Sequence, residues 1–588
     1  MDLKQYLIQF INDSRWKGFY RQIPLLLLAL LIGVLGGYGA VLFRFIIKSI
    51  QYVFYGSSEE FLSFAHTVPW YMLVGIPCLG GLIVGIIIRL GAREAKGHGV
   101  PEVMEAVALK DGVIRKRVAG VKIIASAICI GSGGSVGREG PIVQIGSSIG
   151  STIGQIFRVP RRYRRTLVGC GAAAGIAATF NAPIAGVLFA LEILLGDFGV
   201  AAFSPVVISS VMATTISRHY FGDFPAFIIP DHGMKSLWEV SIYPFLGVFA
   251  GIVSLVFVTV MYKFEDFFDE VVKIPEAIKP ALGGLIIGLI LLKFPQVFGV
   301  GYGGINLVLL DQMPALLMIV LCGMKILSTS LTIGSGGSGG IFAPSLFIGA
   351  MAGGFFGWCA GALFPGIVAN PATYALVAMG AVVAGTTHAP ITAILIIFEL
   401  TGDYKIILPL MLCCILSTLT ALTLKKGSIY TIKLSRRGID LVGGLEQNLL
   451  LNLKIRDYMQ DQIARVKENA TLDQIVEAFK TQNISYLHVV DQDNHLTGII
   501  SFRDIRPILD EGIPPSLVIA KDVATVNVKT IAVSDNIRNA LQIMSSKGIS
   551  QLPVVDDNDH RLLIGCLREK DVIAAYDNEV LQREITGL

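Results

Sequence analysis

Charge is scarce in this chain. Asp, Glu, Lys and Arg supply 16% of its 588 residues against 53% hydrophobic residues, and mean hydropathy is +0.66. A soluble domain carries about 25% charged residues, so an ordinary soluble enzyme is excluded. Cysteine is sparse and unpatterned. None of the eight cysteines has CxxC metal spacing, and most lie inside apolar segments (Cys129, Cys170, Cys322, Cys359, Cys413, Cys414), as small core residues do. Met1–Arg21 contains no apolar h-region or cleavage site and does not read as a signal peptide. No nucleophile–base pairing and no metal-type cluster is visible, so no enzyme, catalytic residue or metal site is expected. The net charge of +4 is too small to suggest a nucleic-acid partner.

Long apolar runs fill residues 23–425, interrupted by Gly and Pro more often than by charge. They read as a polytopic α-helical protein embedded in a lipid bilayer. Lys and Arg gather in short segments, Arg161–Arg165 and Lys425–Arg437, as topology signals would, which predicts that everything after residue 425 is cytoplasmic. Lys4–Tyr20 reads either as an amphipathic helix along the cytoplasmic face or as a frayed tail. The expected divisions are a tail (1–22), a membrane domain (23–440), a linker (441–453) and two small α/β units (454–510 and 511–588).

One stretch stands out: Gly131-Ser-Gly-Gly-Ser-Val-Gly-Arg-Glu-Gly-Pro141, between the apolar runs Val118–Ile130 and Ile142–Ile156. Glycine permits sharp turns and close backbone approach, and proline suits a helix's first turn. The pattern predicts a broken helix whose new N-terminus aims backbone N–H groups at an anion. Glu139 lies at that same point. An ionisable group at bilayer depth costs about 2.5–3.5 kcal/mol on insertion scales, and such groups are functional by default. The alternative is a Gly-rich surface loop with a solvated salt bridge.

Repetition weakens that alternative. Gly334-Ser-Gly-Gly-Ser-Gly-Gly-Ile-Phe-Ala-Pro344 aligns without a gap on Gly131–Pro141, and His388–Glu399 aligns on Asn181–Glu192. Repeated, Gly/Pro-interrupted apolar segments point to a transport site at the repeat interface. Residues 454–576 repeat as well. Tyr486–Asp491 and Leu496–Asp504 match Gln551–Asp556 and Leu563–Asp571, each preceded by a helical pattern (Leu472–Gln482, Ile537–Lys547).

Three segments, Gly97-His-Gly-Val-Pro101, Gly137-Arg-Glu-Gly-Pro141 and Gly339-Gly-Ile-Phe-Ala-Pro344, together resemble the signatures of the CLC chloride channel and transporter family. The paired C-terminal units resemble tandem CBS domains. The resemblance implies inverted-topology halves with broken helices, a homodimer with one anion pathway per subunit, and chloride as the transported substrate. It implies that Glu139 is the gating glutamate, competing with chloride. The Ile341 and Phe342 N–H groups, with Gly140, would line the anion site, and the Tyr430 hydroxyl would coordinate chloride from the inner side. Adenine nucleotide (ATP, ADP or AMP) would bind the CBS pair through Ser501 and Asp504, with Asp571 in the second copy. Arg568 there replaces the expected hydroxyl residue and would meet a phosphate; the other reading is a ligand-free dimerisation module.

Two departures bear on mechanism. The family's usual serine in the first motif is His98 here, which would donate N–H to the anion and confer pH sensitivity, or stay neutral on backbone partners. The residue after Glu192, a second glutamate in many proton exchangers, is Ile193. Glu192 reads as structural, with a proton path through Glu139 and Glu192 as the alternative, and His388 reads as a helix-start residue. The expectation is a voltage- and pH-gated chloride channel in the cell membrane. The alternatives are a chloride/proton exchanger and a nucleotide-sensing protein whose membrane part is an anchor; fluoride export fits less well.

Overall fold

The computed structural model describes residues 14–223, 227, 235–439, 453–482, 484–510 and 514–575, with side chains from residue 23 onward except those of Leu237 and Gln482. The chain divides into two units, Met1–Ile439 and Asp440–Leu588. Within the expected tail, residues from Ser14 are helical and continue directly into the first membrane helix. Residues 1–13, residues 440–452 of the expected linker region, and residues 576–588 lie outside the described residues.

The first unit is helical throughout. Its helices are α1 (Ser14–Tyr55), α2 (Phe61–Phe64), α3 (Trp70–Leu90), α4 (Val100–Leu109), α5 (Arg117–Gly131), α6 (Glu139–Ile156), α7 (Arg161–Phe180), α8 (Pro183–Phe189) and α9 (Val200–Phe221). The second half follows with α10 (Tyr243–Asp266), α11 (Lys279–Leu291), α12 (Tyr302–Leu309), α13 (Ala315–Gly334) and α14 (Phe342–Leu363). It ends with α15 (Pro371–Thr387), α16 (Pro390–Thr401), α17 (Ile407–Leu424) and α18 (Thr431–Arg436). Among the described residues, seven helical stretches are long and apolar enough to cross a membrane. Others are too short. The 10 residues of α4 extend about 15 Å at 1.5 Å per residue, half of the roughly 30 Å hydrocarbon core. Such half-helices place their termini at depth.

Breaks occur where the sequence repeats. The run Leu167–Leu195 is two helices, because Asn181 takes a left-handed conformation (φ 59°) before Pro183 restarts the chain. His388 does the same (φ 57°) ahead of Pro390. Instead of starting a helix, as expected, His388 ends α15. Small residues let neighbouring helices within the first half pack closely: a methyl on Gly146 of α6 would collide with the Gly171 carbonyl of α7, and one on Gly171 with that of Gly146.

The second unit holds two three-stranded sheets. The first is β1 (Arg465–Lys467), β2 (Tyr486–Val490) and β3 (Leu496–Ser501), in the order 1-2-3, with α19 (Leu472–Gln482) and α20 (Phe502–Asp510). A short helix, α21 (Ala520–Val523), links the copies, and the second sheet is β4 (Ile531–Ala532), β5 (Gln551–Val555) and β6 (Leu563–Arg568), with α22 (Ile537–Lys547) between β4 and β5. Both sheets pair parallel then antiparallel, and both carry an irregularity at the same register, Val489/Val490 and Val554/Val555. The copies exchange segments. Leu453 and Ile455, ahead of the first copy, pack in the core of the second with Ile537 and Leu567, while Ala520 packs in the core of the first with Ile475 and Leu487. The two copies therefore interlock across the expected boundary at 510/511.

A polar clasp adds to this. Leu496 N–H donates to the Arg561 carbonyl (2.7 Å), and the His495 ring joins Asp491 (3.1 Å) in the first copy to Asp559 (3.2 Å) in the second. Hydrogen bonding to Asp491 and the charges of both aspartates raise the His495 pKa above 6.5, while the backbone N–H groups of His495 and Arg561, and after them the His495 ring, depress those of Asp491 and Asp559 respectively. His488, buried in β2, is pushed the other way by desolvation. The clasp's contribution is present below the ordinary histidine pKa, fades as pH rises through the raised value, and fades again as pH falls through the depressed carboxylate values. Hydrogen exchange at the Leu496 amide, corrected for intrinsic rates, should show weaker protection at pH 8.5 than at pH 6, and His495→Ala should abolish that difference. Equal protection in the unmodified protein would show that the imidazole contributes nothing.

Candidate anion site

Three glycine-broken segments meet inside the first unit. Gly99, with φ 84°, turns the chain into α4, and Arg138 and Ile341 precede the first residues of α6 and α14. The second and third segments are tied by a reciprocal pair of hydrogen bonds, Gly137 N–H to Gly340 O (2.7 Å) and Gly340 N–H to Gly137 O (2.6 Å). The first joins through Gly97 N–H to Gly337 O (2.9 Å). Glycine is required here by contact: a methyl on Gly140 would strike the His98 carbonyl, and one on Gly340 would lie 2.7 Å from the Gly140 nitrogen.

The first N–H groups of a helix lack intrahelical partners and carry partial positive charge. Here those of α6 and α14 converge around Glu139, which is buried at 1% exposure. Neither oxygen of its carboxylate has a hydrogen-bond partner. Ile341 and Phe342, each 2% exposed, open α14 beside it. On the other side of Gly140 lies His98, 1% exposed with Nδ1 unpartnered, and its ring centroid is 5.7 Å from that of Tyr430. Tyr262 Oη donates to the Ile429 carbonyl (2.6 Å), and Ile429 N–H to Thr386 O (2.9 Å), which fixes the Tyr430 segment. Lys433 and Arg437, at the chain's exit from α18, pair with Glu102 of α4 (3.0 and 3.2 Å). The structure thus brings Glu139, Gly140, His98, Ile341, Phe342 and Tyr430 together.

Glu192 is placed elsewhere. It sits in a π-helical turn, Ala190–Leu195, and its carboxylate accepts from Ile391 N–H (3.2 Å), Thr392 N–H (2.7 Å) and Thr392 Oγ1 (2.6 Å) at the start of α16. Glu399, its repeat mate, accepts from Ile184 N–H (2.9 Å) and Ala185 N–H (2.7 Å) at the start of α8. Each copy caps the other.

Two further residues went unnoticed in the sequence. Lys122 Nζ donates to the Ala95 and Gly97 carbonyls (3.0 and 2.8 Å), and Lys325 Nζ to the Val297 and Gly299 carbonyls (3.1 and 2.8 Å). Both are fully buried. Each stands nine residues before the first glycine of its repeat. Extending the repeat backwards through the apolar run would have exposed them. They also disclose a third repeated element, since Gly299-Val-Gly301 starts α12 (Gly301 φ 89°) as Gly97-His-Gly99 starts α4.

In the second unit, Asp504 is occupied by Ser501, whose N–H and Oγ donate to it (2.7 and 2.8 Å). Asp571 is held by Arg568 through Nε (2.8 Å) and Nη2 (3.0 Å). A cavity of about 420 Å3 runs between the copies, lined by Tyr486 and His488 on one side and Arg568 and Lys570 on the other. Ser501 and Asp504 do not line it.

Two inverted halves with half-helix ends converging at depth define a membrane transport protein with an anion-attracting centre. The profile of the voltage gated chloride channel family matches residues 80–422, and that of the CBS domain matches residues 455–511 and 520–578. The chain is 37% identical over 424 residues to a putative chloride channel protein ClcB-like of Ralstonia nicotianae, covering 71% of this chain and 98% of that one. It is 31% identical to the H(+)/Cl(-) exchange transporter ClcA of Salmonella paratyphi B, over 70% of this chain and 89% of the relative. Among solved structures it resembles a slow cyanobacterial Cl-/H+ antiporter, with TM-score 0.65 and 28% identity over 70% of this chain and 97% of that one. This protein therefore belongs to the CLC chloride transport family and carries two C-terminal CBS domains.

Losing a helix cap typically costs about 0.5–2 kcal/mol. Glu192→Ala and Glu399→Ala should each lower thermal stability of the detergent-purified protein by an amount in that range, with the Gln variants, which keep one acceptor oxygen, less affected. Unchanged melting in both Ala variants would show that reciprocal capping is energetically idle.

Proposed function

We propose that the protein is a homodimeric chloride channel of the cell membrane, gated by Glu139, with its CBS domains on the cytoplasmic side. The observation that carries this is the buried Glu139 carboxylate, without a protein partner on either oxygen, at the meeting of two helix N-termini. An ionised carboxylate there stands where chloride would, drawn by the partial positive charge of the α14 N-terminus with its Ile341 and Phe342 amides and not by a fixed hydrogen bond. Protonated, it loses that attraction and swings aside, and chloride takes its place against the same amides, Gly140 and Tyr430. Moving one charge through the membrane field is worth about 2.3 kcal/mol per 100 mV, so voltage and pH both act on this group. His98 completes the inner face, its unpartnered nitrogen available to an anion.

Ile193 and the fixed position of Glu192 favour a channel over an exchanger. An inward proton path needs a carboxylate that can change partners, whereas Glu192 is bound to two backbone N–H groups and a hydroxyl of α16. Exchange remains the second reading, supported by the likeness to a Cl-/H+ antiporter. In the CBS pair, the cavity between Tyr486 and Arg568 suits an adenine nucleotide, with Arg568 and Lys570 toward its phosphates and Asp571 positioning Arg568.

The deciding experiment is paired chloride and proton flux from liposomes holding the full chain. Chloride flux without coupled protons is expected. Uphill proton movement driven by a chloride gradient would establish the exchanger instead. Glu139→Gln should keep chloride flux while abolishing its pH dependence; a variant that stops conducting would sink the gate assignment.

A further inference from the structure

Helices α1 and α9 run side by side in the same direction. A methyl on Gly33 would meet the Ser209 carbonyl, and one on Gly37 the Ala213 backbone, so the two helices touch at matching turns. Nearer their C-terminal ends lies an open groove of about 800 Å3. Its walls are Leu35, Tyr38, Leu42 and Phe45 of α1 and Tyr220 and Phe221 of α9, all of them exposed. Gly39 and Ile149 of α6 also line it, and a methyl on Gly39 would lie 3.5 Å from Ile149 Cδ1, an ordinary contact.

The groove carries charge of one sign. Arg44 and Lys48, one turn apart on α1, line it, and no carboxylate does. Neither cation pairs with a carboxylate among the described residues. Their depth follows from α9. Its 22 residues end at Phe221 and extend about 33 Å, enough to cross the roughly 30 Å hydrocarbon core. Arg44 lies 4.1 Å over the Phe221 ring, so its guanidinium stands where α9 reaches the headgroups. Lys48 stands about 6 Å further along α1. Tyr38 and Tyr220, edge-on with centroids 6.2 Å apart, lie just below, as aromatic residues do near a bilayer interface.

We propose that this groove is a binding site for an anionic phospholipid. One acyl chain lies along the apolar walls between α1 and α9, and the headgroup phosphate sits between Arg44 and Lys48. Apolar walls alone cannot tell one lipid from another. The two cations can, because a zwitterionic headgroup brings its own cation beside them, whereas an acidic headgroup brings only negative charge. Basic pockets between transmembrane helices hold acidic headgroups by this chemistry.

The test is thermal melting of the full chain in detergent, with phosphatidylglycerol or phosphatidylcholine titrated in. Phosphatidylglycerol should stabilise at lower concentration than phosphatidylcholine. Arg44→Gln and Lys48→Gln should each weaken the phosphatidylglycerol response about fivefold, the contribution of one basic residue at an anionic lipid surface, and leave the phosphatidylcholine response unchanged. Gly39→Leu, which fills the groove and keeps both cations, should weaken the response to both lipids. Glycerol phosphate, a headgroup without chains, should leave melting unchanged. Where a variant melts too low to titrate, the phosphatidylglycerol it retains through purification, read by native mass spectrometry, decides instead. Equal responses to the two lipids, or a phosphatidylglycerol response that survives loss of both cations, would overturn the site. So would a response kept in Gly39→Leu, which would place the lipid elsewhere, or stabilisation by glycerol phosphate, which would make this a site for free anions.

Discussion

The membrane unit depends on one reciprocal hydrogen-bond pair, Gly137 N–H to Gly340 O and back. Without it, two helices broken at depth would each leave turn amides and carbonyls without partners, at several kcal/mol per group in hydrocarbon. With it, the break becomes stable and the first amides of α6 and α14 stay unpaired while facing one point. Two helix N-termini, each equivalent to about half a positive charge, then attract an anion, while the buried Lys122 and Lys325 ammonium groups are engaged by backbone carbonyls. The glycines follow from this geometry, since a methyl at 140 or 340 would fill the space the backbones share.

Duplication explains how such a centre is supported. Lys122 and Lys325 each collect two carbonyls released by a glycine turn, and Glu192 and Glu399 each collect N–H groups from the opposite half. One solution is used twice, with the halves stitched to each other. The copies differ where the function needs asymmetry. In register with Arg138-Glu139 stand Ile341-Phe342, so one helix end brings a titratable carboxylate and the other brings amides alone.

Much of this was legible in the chain. The repeated Gly–Pro segments located both helix breaks, because only a backbone that must turn sharply at depth concentrates glycine there. The CBS repeat yielded matching strands in matching register. What stayed hidden was contact between distant, unremarkable residues. Nothing around Glu60 marks it, since its partner, the Gly303 N–H, lies 243 positions away. Lys122 and Lys325 were visible only as single charges in apolar runs. The segment exchange between the CBS copies was equally opaque, because Leu453 and Ala520 look like ordinary linker residues until the cores they enter are known.

The carboxylates of the membrane unit supply the remaining step. Glu192 and Glu399 cap half-helices, and Glu102 is paired with Lys433 and Arg437. Glu239, fully buried, accepts from the Ala369 and Lys235 amides at 2.8 and 3.0 Å. Each is bound by groups that do not leave. Among the described residues Glu139 is the buried carboxylate with both oxygens unpartnered. A buried charge without fixed partners is costly, and no packing requirement calls for a glutamate there, since the equivalent position of the second repeat is Phe342. The group least held by the protein is therefore Glu139, and this is the physical ground on which the proposed gate rests.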